Sequence, residues 1–509
     1  MRVSSILWLQ SPITVETNPP EIFSDLNLDA IVEEIVAGRD EYRLRPFFYT
    51  SLTTPEEVGY RQDVMRDLHQ PAVAAMMHLF AEGMQTVRQY QAHAEKVYYQ
   101  RQKQAWFLDA VASYVETVGG LDEALMLENI KSEGLIRFRE FLRTYVGSAE
   151  FEGMRNQTAA LKADLAGIRY GLTVDGSVIS VGKEFDPEDV SQDFEALLTR
   201  FQRTDIQRQL RDQDSEALEM NHIEAKILEQ VVKLYPEPFE RLETFSRQQV
   251  SFLDPALREF DRELQFYLTY QDYMAFFEHH GLDFCYPRVS ALDKTELSRD
   301  SYDAALAHKV LSAHGTVVVN DFELSGDERI LVVTGPNQGG KTTFARRFGQ
   351  LHFLAKLGLP VPGGAAQLFL CDKIFTHFER EEDMSEGSGK LQDALLRMHA
   401  ILSDASPDSV IIMNEIFGST TLQDAVFLTT KVLDQVTQLD AIAVLVTFID
   451  ELGSRNQKTV SLVASVNPDQ YAQRTYKIVR GPAQGIAYAL SLAESYGLTY
   501  SRIKERLQP

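Results

Sequence analysis

Residues 329–343 have the sequence R-I-L-V-V-T-G-P-N-Q-G-G-K-T-T, and this segment is the strongest indication of the architecture of the carboxy-terminal half. It begins with an apolar run typical of a buried strand. From Gly335 to Thr342 it matches the pattern G-x-x-x-x-G-K-[ST], and a segment of helical composition follows. A strand, a glycine-rich turn and a helix in this order predict a phosphate-binding loop. The glycines let backbone N–H groups surround phosphate oxygens, and the helix start adds further donors.

The end of this loop supplies candidate ligands for a nucleotide and its metal ion. Lys341 is expected to neutralise the β- and γ-phosphates, and the hydroxyl of Thr342 is expected to bind Mg²⁺. The alternative interpretation is a glycine-rich turn with an exposed lysine. The strand before the loop and the helix after it favour the phosphate loop.

A second apolar run, V-I-I-M at 410–413, is followed by Asn414 and Glu415. Phosphate-loop ATPases commonly end such a strand with a carboxylate for Mg²⁺, often followed by a glutamate that activates water. Glu415 is therefore the candidate catalytic base. Asn414 occupies the metal position, although an amide is a weaker ligand for a hard cation than a carboxylate. The alternative is a buried strand capped by a solvated Asn-Glu pair.

The segment S-E-G-S-G-K at 385–390 precedes a run in which apolar residues recur at helical spacing. These apolar residues are Leu391, Ala394, Leu395, Met398, Ile401 and Leu402. Small residues at a helix start can form an anion site, and Ser388 is the candidate contact to a γ-phosphate held by another subunit. The alternative is an ordinary helix cap.

The chain changes character near residue 285. Before it, segments rich in Leu, Glu, Gln, Arg and Ala predict extended helices, most clearly at 72–115 and 220–280. After it, β-branched runs at 316–319, 330–333, 410–413 and 443–446 alternate with helical stretches. That alternation predicts an α/β domain with a mostly parallel sheet over 286–509, preceded by a long all-α region over 1–285.

One hairpin interrupts the helical region, because Asp175-Gly176 lies between two short β runs at 172–181. The segment from about 187 to 235 that follows is strongly charged and mostly acidic, and helical composition returns after it. We interpret this part as a helical arm that extends outward and returns. Two unrelated helical layers are the alternative.

Composition excludes several classes of function. The chain has 509 residues and a net charge of −24, so it does not coat nucleic acid by bulk electrostatics, although a local basic groove is compatible with that charge. The arm at 187–235 has one concentrated basic strip, formed by Arg200, Arg203, Arg208 and Arg211, and we interpret it as a solvated helix face.

No apolar run is long enough to cross a membrane. Two cysteines, Cys285 and Cys371, do not make a disulfide framework, which favours the cytoplasm.

Together these motifs resemble the MutS family of DNA mismatch-repair ATPases. Residues 335–343 resemble the family's G-P-N-x-x-G-K-[ST]-T loop, and 412–421 resemble its M-D-E-I-G-x-G-T-S-T run. Residues 385–390 resemble its signature loop, and 477–493 resemble its carboxy-terminal pattern with altered spacing. Over 20–285 the likeness is looser and suggests the family's helical lever and clamp, with 47–50 and 60–62 similar to a short bacterial branch.

The resemblance implies an ABC-like phosphate-loop ATPase that uses ATP and Mg²⁺ and works as a homodimer with two composite sites. One chain would supply Asn337 and Glu415 as catalytic residues, with Thr342 and Asn414 at the metal. The partner would supply Ser388. The implied nucleotide-binding residues of the loop are Gly335, Pro336, Asn337, Gln338, Gly339, Gly340, Lys341, Thr342 and Thr343.

The departures from the family pattern shape the expected function. Asn414 replaces the family's acid, and Phe448 replaces its histidine after the fourth strand. The family's mismatch-reading and connector domains have no room before the lever. Three segments match its Phe-x-Glu wedge, at Phe80, Phe138 and Phe276, but each falls in a helical stretch.

The expected function is therefore ATP-dependent DNA binding or damage sensing without direct mismatch reading. The alternatives are a nucleotide-gated dimeric clamp with little hydrolysis, which Asn414, Phe448 and the acidic charge favour, and an ABC-type ATPase with no DNA role. Any DNA contact is expected to be weak and selective for DNA structure.

Overall fold

The computed structural model describes residues 5–10, 14–175, 178–183, 220–379, 389–467, 470–482 and 496–507. The chain forms two compact units. One unit contains Gln70–Ile130 and Leu135–Asp261, and the other contains Ser4–His69, Lys131–Gly134 and Arg262–Pro509. These units do not follow the division at residue 285, which stays a prediction about family domains.

The described helices are α1 (Ile22–Leu26), α2 (Leu28–Val36), α3 (Arg45–Tyr49), α4 (Pro55–Leu68), α5 (Pro71–Lys96), α6 (Gln100–Leu127), α7 (Glu133–Val146), α8 (Ala149–Ala166), α9 (His222–Leu234), α10 (Pro236–Gln248), α11 (Pro255–Glu278), α12 (Ala304–Ser312), α13 (Lys341–Lys356), α14 (Lys390–Asp404), α15 (Leu422–Leu439) and α16 (Tyr500–Leu507). Among these described helices, none is long and apolar enough to span a bilayer.

The described strands are β1 (Gly171–Asp175), β2 (Val178–Gly182), β3 (Phe284–Cys285), β4 (Arg288–Ser290), β5 (Glu296–Ser301), β6 (Asn320–Leu324), β7 (Ile330–Thr334), β8 (Val361–Pro362), β9 (Ala365–Phe369), β10 (Ile374–His377), β11 (Val410–Asn414), β12 (Ile442–Val446), β13 (Thr459–Asn467) and β14 (Gln470–Arg480).

The helical unit confirms the helical composition of the first half but divides the predicted long helices. The predicted helix over 72–115 is two helices, α5 and α6, because the backbone at Val97 and Tyr99 is extended. At Gly83 the two helices pack closely, since a Cβ there would lie only 2.2 Å from the hydroxyl of Thr117. The predicted helix over 220–280 is three helices, two of which begin at Pro236 and Pro255.

The hairpin is confirmed as an antiparallel pair of β1 and β2, in which Asp175 faces Val178. Most of the predicted arm over 187–235, with its arginine strip, lies outside the described residues. The three Phe-x-Glu segments are confirmed as helical, in α5, α7 and α11.

The second unit is built on a six-stranded sheet in the order β10-β11-β12-β7-β13-β14. All neighbours are parallel except β13 and β14. The central strands β7 and β12 are buried along their whole length, as expected for a sheet covered on both faces. A mixed α/β fold with a mostly parallel sheet is therefore confirmed for this part of the chain.

One predicted strand is wrong. Residues 316–319 are not in a strand, and β6 begins only at Asn320. Phe322 and Leu324 are buried at alternate positions of β6, which pairs with β5, whereas the side chains of 316–319 are exposed or half-buried. The β-branched residues at 316–319 have the composition of a strand. The strand that pairs with β5 nevertheless begins four residues later, at Asn320, because the residues that become buried by pairing lie there.

Residues of the amino-terminal part are built into this second unit. Arg61, on α4, is fully buried and donates hydrogen bonds to the carbonyls of Leu7 at 2.8 Å and Leu357 at 2.9 Å. Gly349 packs against Leu26, so closely that a Cβ there would lie 2.6 Å from a leucine methyl group. The helix that follows the glycine-rich loop is thus covered by α1.

Candidate nucleotide-binding site

The glycine-rich loop joins β7 to α13 through residues with left-handed backbone. Gly335 has a φ of 121°, Gln338 of 60° and Gly340 of 91°. At Gly335 and Gly339 an added Cβ would meet the Cβ of Ala464 at 3.0 Å, so the loop is pressed against β13. Glycine is therefore required at 335 for both conformation and space, as the sequence predicts for a loop that exposes its backbone N–H groups.

Lys341 begins α13 and is only 4% exposed. Its Nζ donates a 2.8 Å hydrogen bond to the Gly335 carbonyl and a 3.4 Å hydrogen bond to Asn337 Oδ1. The amine also lies 3.7 Å from Glu415 Oε1. Burial lowers the pKa of Lys341, and the nearby Glu415 carboxylate opposes that shift. The loop therefore holds a poorly solvated cation beside one carboxylate.

The second motif lies at the same edge of the sheet as the loop. Asn414 is the last residue of β11, and Glu415 donates its backbone N–H to the Val446 carbonyl at 2.9 Å. Strand β12, which contains Val446, is parallel both to β11 and to β7, the strand that leads into the loop. Glu415 has a φ of 51°, a conformation uncommon for residues other than glycine. The carboxyl ends of parallel strands thus bring Glu415 and Lys341 together, as expected for α/β ligand sites.

Asn414 has an unsatisfied polar atom. Its Oδ1 is buried and has no hydrogen-bond partner among the described residues. Buried acceptors are almost always paired with a donor, water or an ion. Thr342 and Glu415 line the cavity beside the loop, whereas Asn414 is not among its lining residues. The Asn414 amide oxygen is of a ligand type that Mg²⁺ accepts, and the residue directly precedes Glu415.

A cavity of about 640 Å³ adjoins the loop. One part is polar and is lined by loop residues with Glu415. Another part is apolar and is formed by Leu306, Ala307, Val310, Val317 and Val318. The segment 316–319, which the sequence predicts to be a strand, therefore contributes to the cavity wall and not to the sheet. Phosphate-binding chemistry next to an apolar space suits a ligand that joins an anion to a planar or apolar group.

The structure brings together most, but not all, of the predicted site residues. Asn337, Gln338, Gly340, Thr342 and Thr343 line the cavity with Lys341 and Glu415. Ser388 lies outside the described residues, which resume at Gly389, the N-cap of α14. The amphipathic helix is present, with Met398 and Ile401 buried, but Leu395 is 39% exposed.

Asn320 and Tyr476 also border the cavity, and their positions were not predicted from the sequence. Asn320 lies at the start of β6, and Tyr476 lies on β14, more than a hundred residues after the loop. The single signal near Tyr476 is the carboxy-terminal pattern that begins at Lys477.

A mostly parallel sheet with a glycine-rich loop at its carboxyl edge defines an α/β domain of the ligand-binding type.

Residues 331–506 match the family model of MutS domain V. The chain is 27% identical over 236 residues to the DNA mismatch repair protein MutS of Orientia tsutsugamushi (strain Boryong), a match that covers 45% of this chain and 26% of the relative. It is also 27% identical over 232 residues to MutS of Chlorobaculum tepidum, with the same coverage of both chains.

These matches show that the carboxy-terminal part of the chain is similar to MutS domain V and to proteins named MutS. The matched region spans about a quarter of the length of the curated relatives.

Proposed function

We propose that this chain binds and slowly hydrolyses ATP at the cavity beside the glycine-rich loop, and that it couples this cycle to DNA binding without direct mismatch reading. The observation that carries the proposal is the buried Lys341 amine, which lies beside the Glu415 carboxylate at the carboxyl edge of a parallel sheet. A cation that is poorly solvated in the free chain gains from a phosphate that replaces its neutral acceptors.

In this proposal the loop backbone and Lys341 hold the phosphates, while Asn337 orients the lysine. Thr342 and Asn414 would hold Mg²⁺, which neutralises charge on the β- and γ-phosphates when bound. Support comes from Asn414 Oδ1, which has no hydrogen-bond partner in the described part of the chain, and from the place of Thr342 in the cavity wall.

Glu415 is the proposed base. Its carboxylate is partly exposed and its strained backbone aims it from the strand end, so it can accept a proton from water beside the phosphates. In the free chain its ion pair with Lys341 occupies the same carboxylate. Phosphates would compete for the lysine and release Glu415 for this role.

A nucleotide-gated clamp with little hydrolysis is the second candidate. It is favoured by Asn414, a neutral ligand in place of the family's acid, and by Phe448, a half-exposed side chain in place of the family's histidine. The ratio of ATP turnover to ATP-induced dimerisation separates the two candidates. Turnover near zero with strong dimerisation selects the clamp.

The DNA role rests on the relatives, which are named DNA mismatch repair proteins. The proposal includes no Phe-x-Glu wedge within the described residues, because all three matching segments lie inside helices, with Phe80 and Phe138 buried and Phe276 half-buried. Contacts through phosphates alone carry no sequence information. We therefore expect binding that is salt-sensitive and that distinguishes DNA shape better than mismatch from match.

Two measurements test the proposal. ATP titration with light scattering should give nucleotide-dependent dimers, in which the partner's Ser388 region would complete each site. DNA binding should be compared among matched, mismatched and branched duplexes at several salt concentrations. A preference of more than about tenfold, ~1.4 kcal/mol, for a mismatch would contradict the DNA part of the proposal. Absence of any salt-dependent DNA binding would select the ATPase with no DNA role.

A further inference from the structure

Two residues in the turn that follows β11 have backbone conformations that glycine usually adopts. Glu415 has a φ of 51° and Phe417 has a φ of 62°, both in the left-handed region. Gly418 tightens the turn, since a Cβ added there would lie 3.4 Å from the Glu415 carbonyl oxygen. A bulky aromatic residue rarely adopts a positive φ, and such strain persists where the surroundings fix it. Contacts outside the backbone of the turn must therefore hold it.

The side chains of Ile416 and Phe417 supply these contacts, because both are buried. Phe417 is 2% exposed and Ile416 is 5% exposed. They belong to the same hydrophobic cluster as Met398 on α14 and Leu433 on α15. Burial of an aromatic ring is among the larger contributions that one side chain makes to stability, and here it offsets the backbone strain at Phe417. The ring therefore anchors the turn in a conformation that its backbone disfavours.

The Glu415 side chain leaves the same turn toward the cavity. Glu415 is one of the lining residues, and its Oε1 lies 3.7 Å from Lys341 Nζ. Its backbone N–H is held by the Val446 carbonyl at 2.9 Å, so β12 fixes the start of the turn. Phe417 fixes the turn two residues later. The direction of the Glu415 side chain depends on the backbone between these two anchors.

We propose that Phe417 is a positioning residue, whose buried ring holds the turn so that the Glu415 carboxylate faces the phosphate site. This inference rests on the proposed function, because it needs Glu415 to accept a proton from water there. Phe417 is not among the described residues that line the cavity, so it acts through Glu415 and not on the nucleotide. A misplaced base slows proton transfer while the loop still holds the phosphates. Loss of the ring should therefore lower turnover and leave ATP affinity unchanged.

Three substitutions of Phe417 separate the effect of the ring from that of the backbone. Phe417→Ala removes the ring and keeps a side chain that disfavours a positive φ, so the turn relaxes and turnover should fall about tenfold. Phe417→Gly also removes the ring, but glycine adopts this φ without strain, so its turnover should lie between those of Phe417→Ala and the wild type. Phe417→Leu keeps a buried apolar anchor and should stay within about threefold of the wild type.

Two quantities are measured on the full chain in the presence of Mg²⁺. Phosphate release at saturating ATP gives the turnover. Calorimetry with a non-hydrolysable ATP analogue gives the affinity, which should stay within about twofold in all three variants. A residue that only fills the core predicts no advantage of glycine over alanine, because both variants lose the same ring contacts. Turnover in Phe417→Gly at or below that in Phe417→Ala would therefore overturn the inference.

Leu433→Ala is the matched control. Leu433 is fully buried in the same cluster but lies on α15, so Leu433→Ala should lower the melting temperature, as Phe417→Ala does, and keep turnover near the wild-type value. An equal fall of turnover in both variants, or unchanged turnover in Phe417→Ala, would overturn the inference and leave the proposed function intact. A wild-type chain whose turnover equals that of Glu415→Gln would refute the proposed role of Glu415 and the inference with it.

Discussion

Replacing Lys341 with methionine should abolish tight ATP binding while leaving the fold intact. Methionine keeps the length and the apolar stem but removes the ammonium group. A charged hydrogen bond contributes about 1.5–3 kcal/mol, and a charge pair at ~4 Å is worth at most about 4 kcal/mol at an effective dielectric constant near 20. Because Lys341 is only 4% exposed, solvent screens little of the interaction between its ammonium group and a phosphate. We therefore expect a loss of about 2–4 kcal/mol, which corresponds to roughly 30- to 700-fold weaker binding.

Isothermal titration calorimetry with ATP and Mg²⁺ measures this loss directly. The substitution loses the hydrogen bond to the Gly335 carbonyl but also removes a charge whose burial lowers the pKa of Lys341, so Lys341→Met should stay folded with a melting temperature near that of the wild type. Lys356→Met is not a suitable control, because that buried lysine holds the Cys371 and Asp372 carbonyls. The exposed Lys373, paired with Asp404, is suitable, and Lys373→Met should bind ATP normally. Equal ATP affinity in the wild type and Lys341→Met would refute the loop assignment.

Three further outcomes follow from the same geometry. Glu415→Gln should retain ATP binding but lose turnover, because the amide keeps the shape without the base; unchanged phosphate release would remove Glu415 from catalysis. Asn414→Asp should lower the Mg²⁺ concentration needed for half-maximal ATP binding, and overlapping Mg²⁺ titrations would place Asn414 away from the metal. Both ring nitrogens of buried His352 face acceptors, the Phe348 carbonyl and Glu296 Oε1. Burial lowers the pKa of His352, but the charge and hydrogen bond of Glu296 outweigh this and raise it above its ordinary value. Stability from this pair is therefore fully present below about pH 6.5 and is lost as pH rises through the folded-state pKa. The free energy of unfolding, measured with urea at several pH values, should fall less with rising pH in His352→Phe than in the wild type. The same dependence on pH in both proteins would contradict the His352–Glu296 pairing.

Local sequence predicted those features that local physics decides. The loop from Gly335 to Thr342 combines positive φ angles with close packing on Ala464, and few residues other than glycine satisfy both conditions. The strands at 330–333, 410–413 and 443–446 are continuous apolar runs, as buried parallel strands require. Because these strands are parallel, their carboxyl ends lie at one edge of the sheet, and this places Glu415 beside Lys341.

Features that depend on distant packing were not predicted. The segment 316–319 has strand composition, but burial of Phe322 and Leu324 selects the next residues for pairing. Tyr476 reaches the cavity through a bulge and an asparagine on another strand, and neither leaves a local pattern. Arg61 is buried in the second unit because its donors meet carbonyls from two distant segments, which composition does not reveal.

A crystal structure of the full chain with a non-hydrolysable ATP analogue and Mg²⁺ would show directly whether the glycine-rich loop holds the phosphates. We expect the triphosphate against the backbone N–H groups of 335–342, with Lys341 Nζ within about 3 Å of a phosphate oxygen. We also expect the metal beside Thr342. An analogue bound elsewhere on the chain at full occupancy, with the Lys341 amine still on the Gly335 carbonyl, would contradict the proposed nucleotide site.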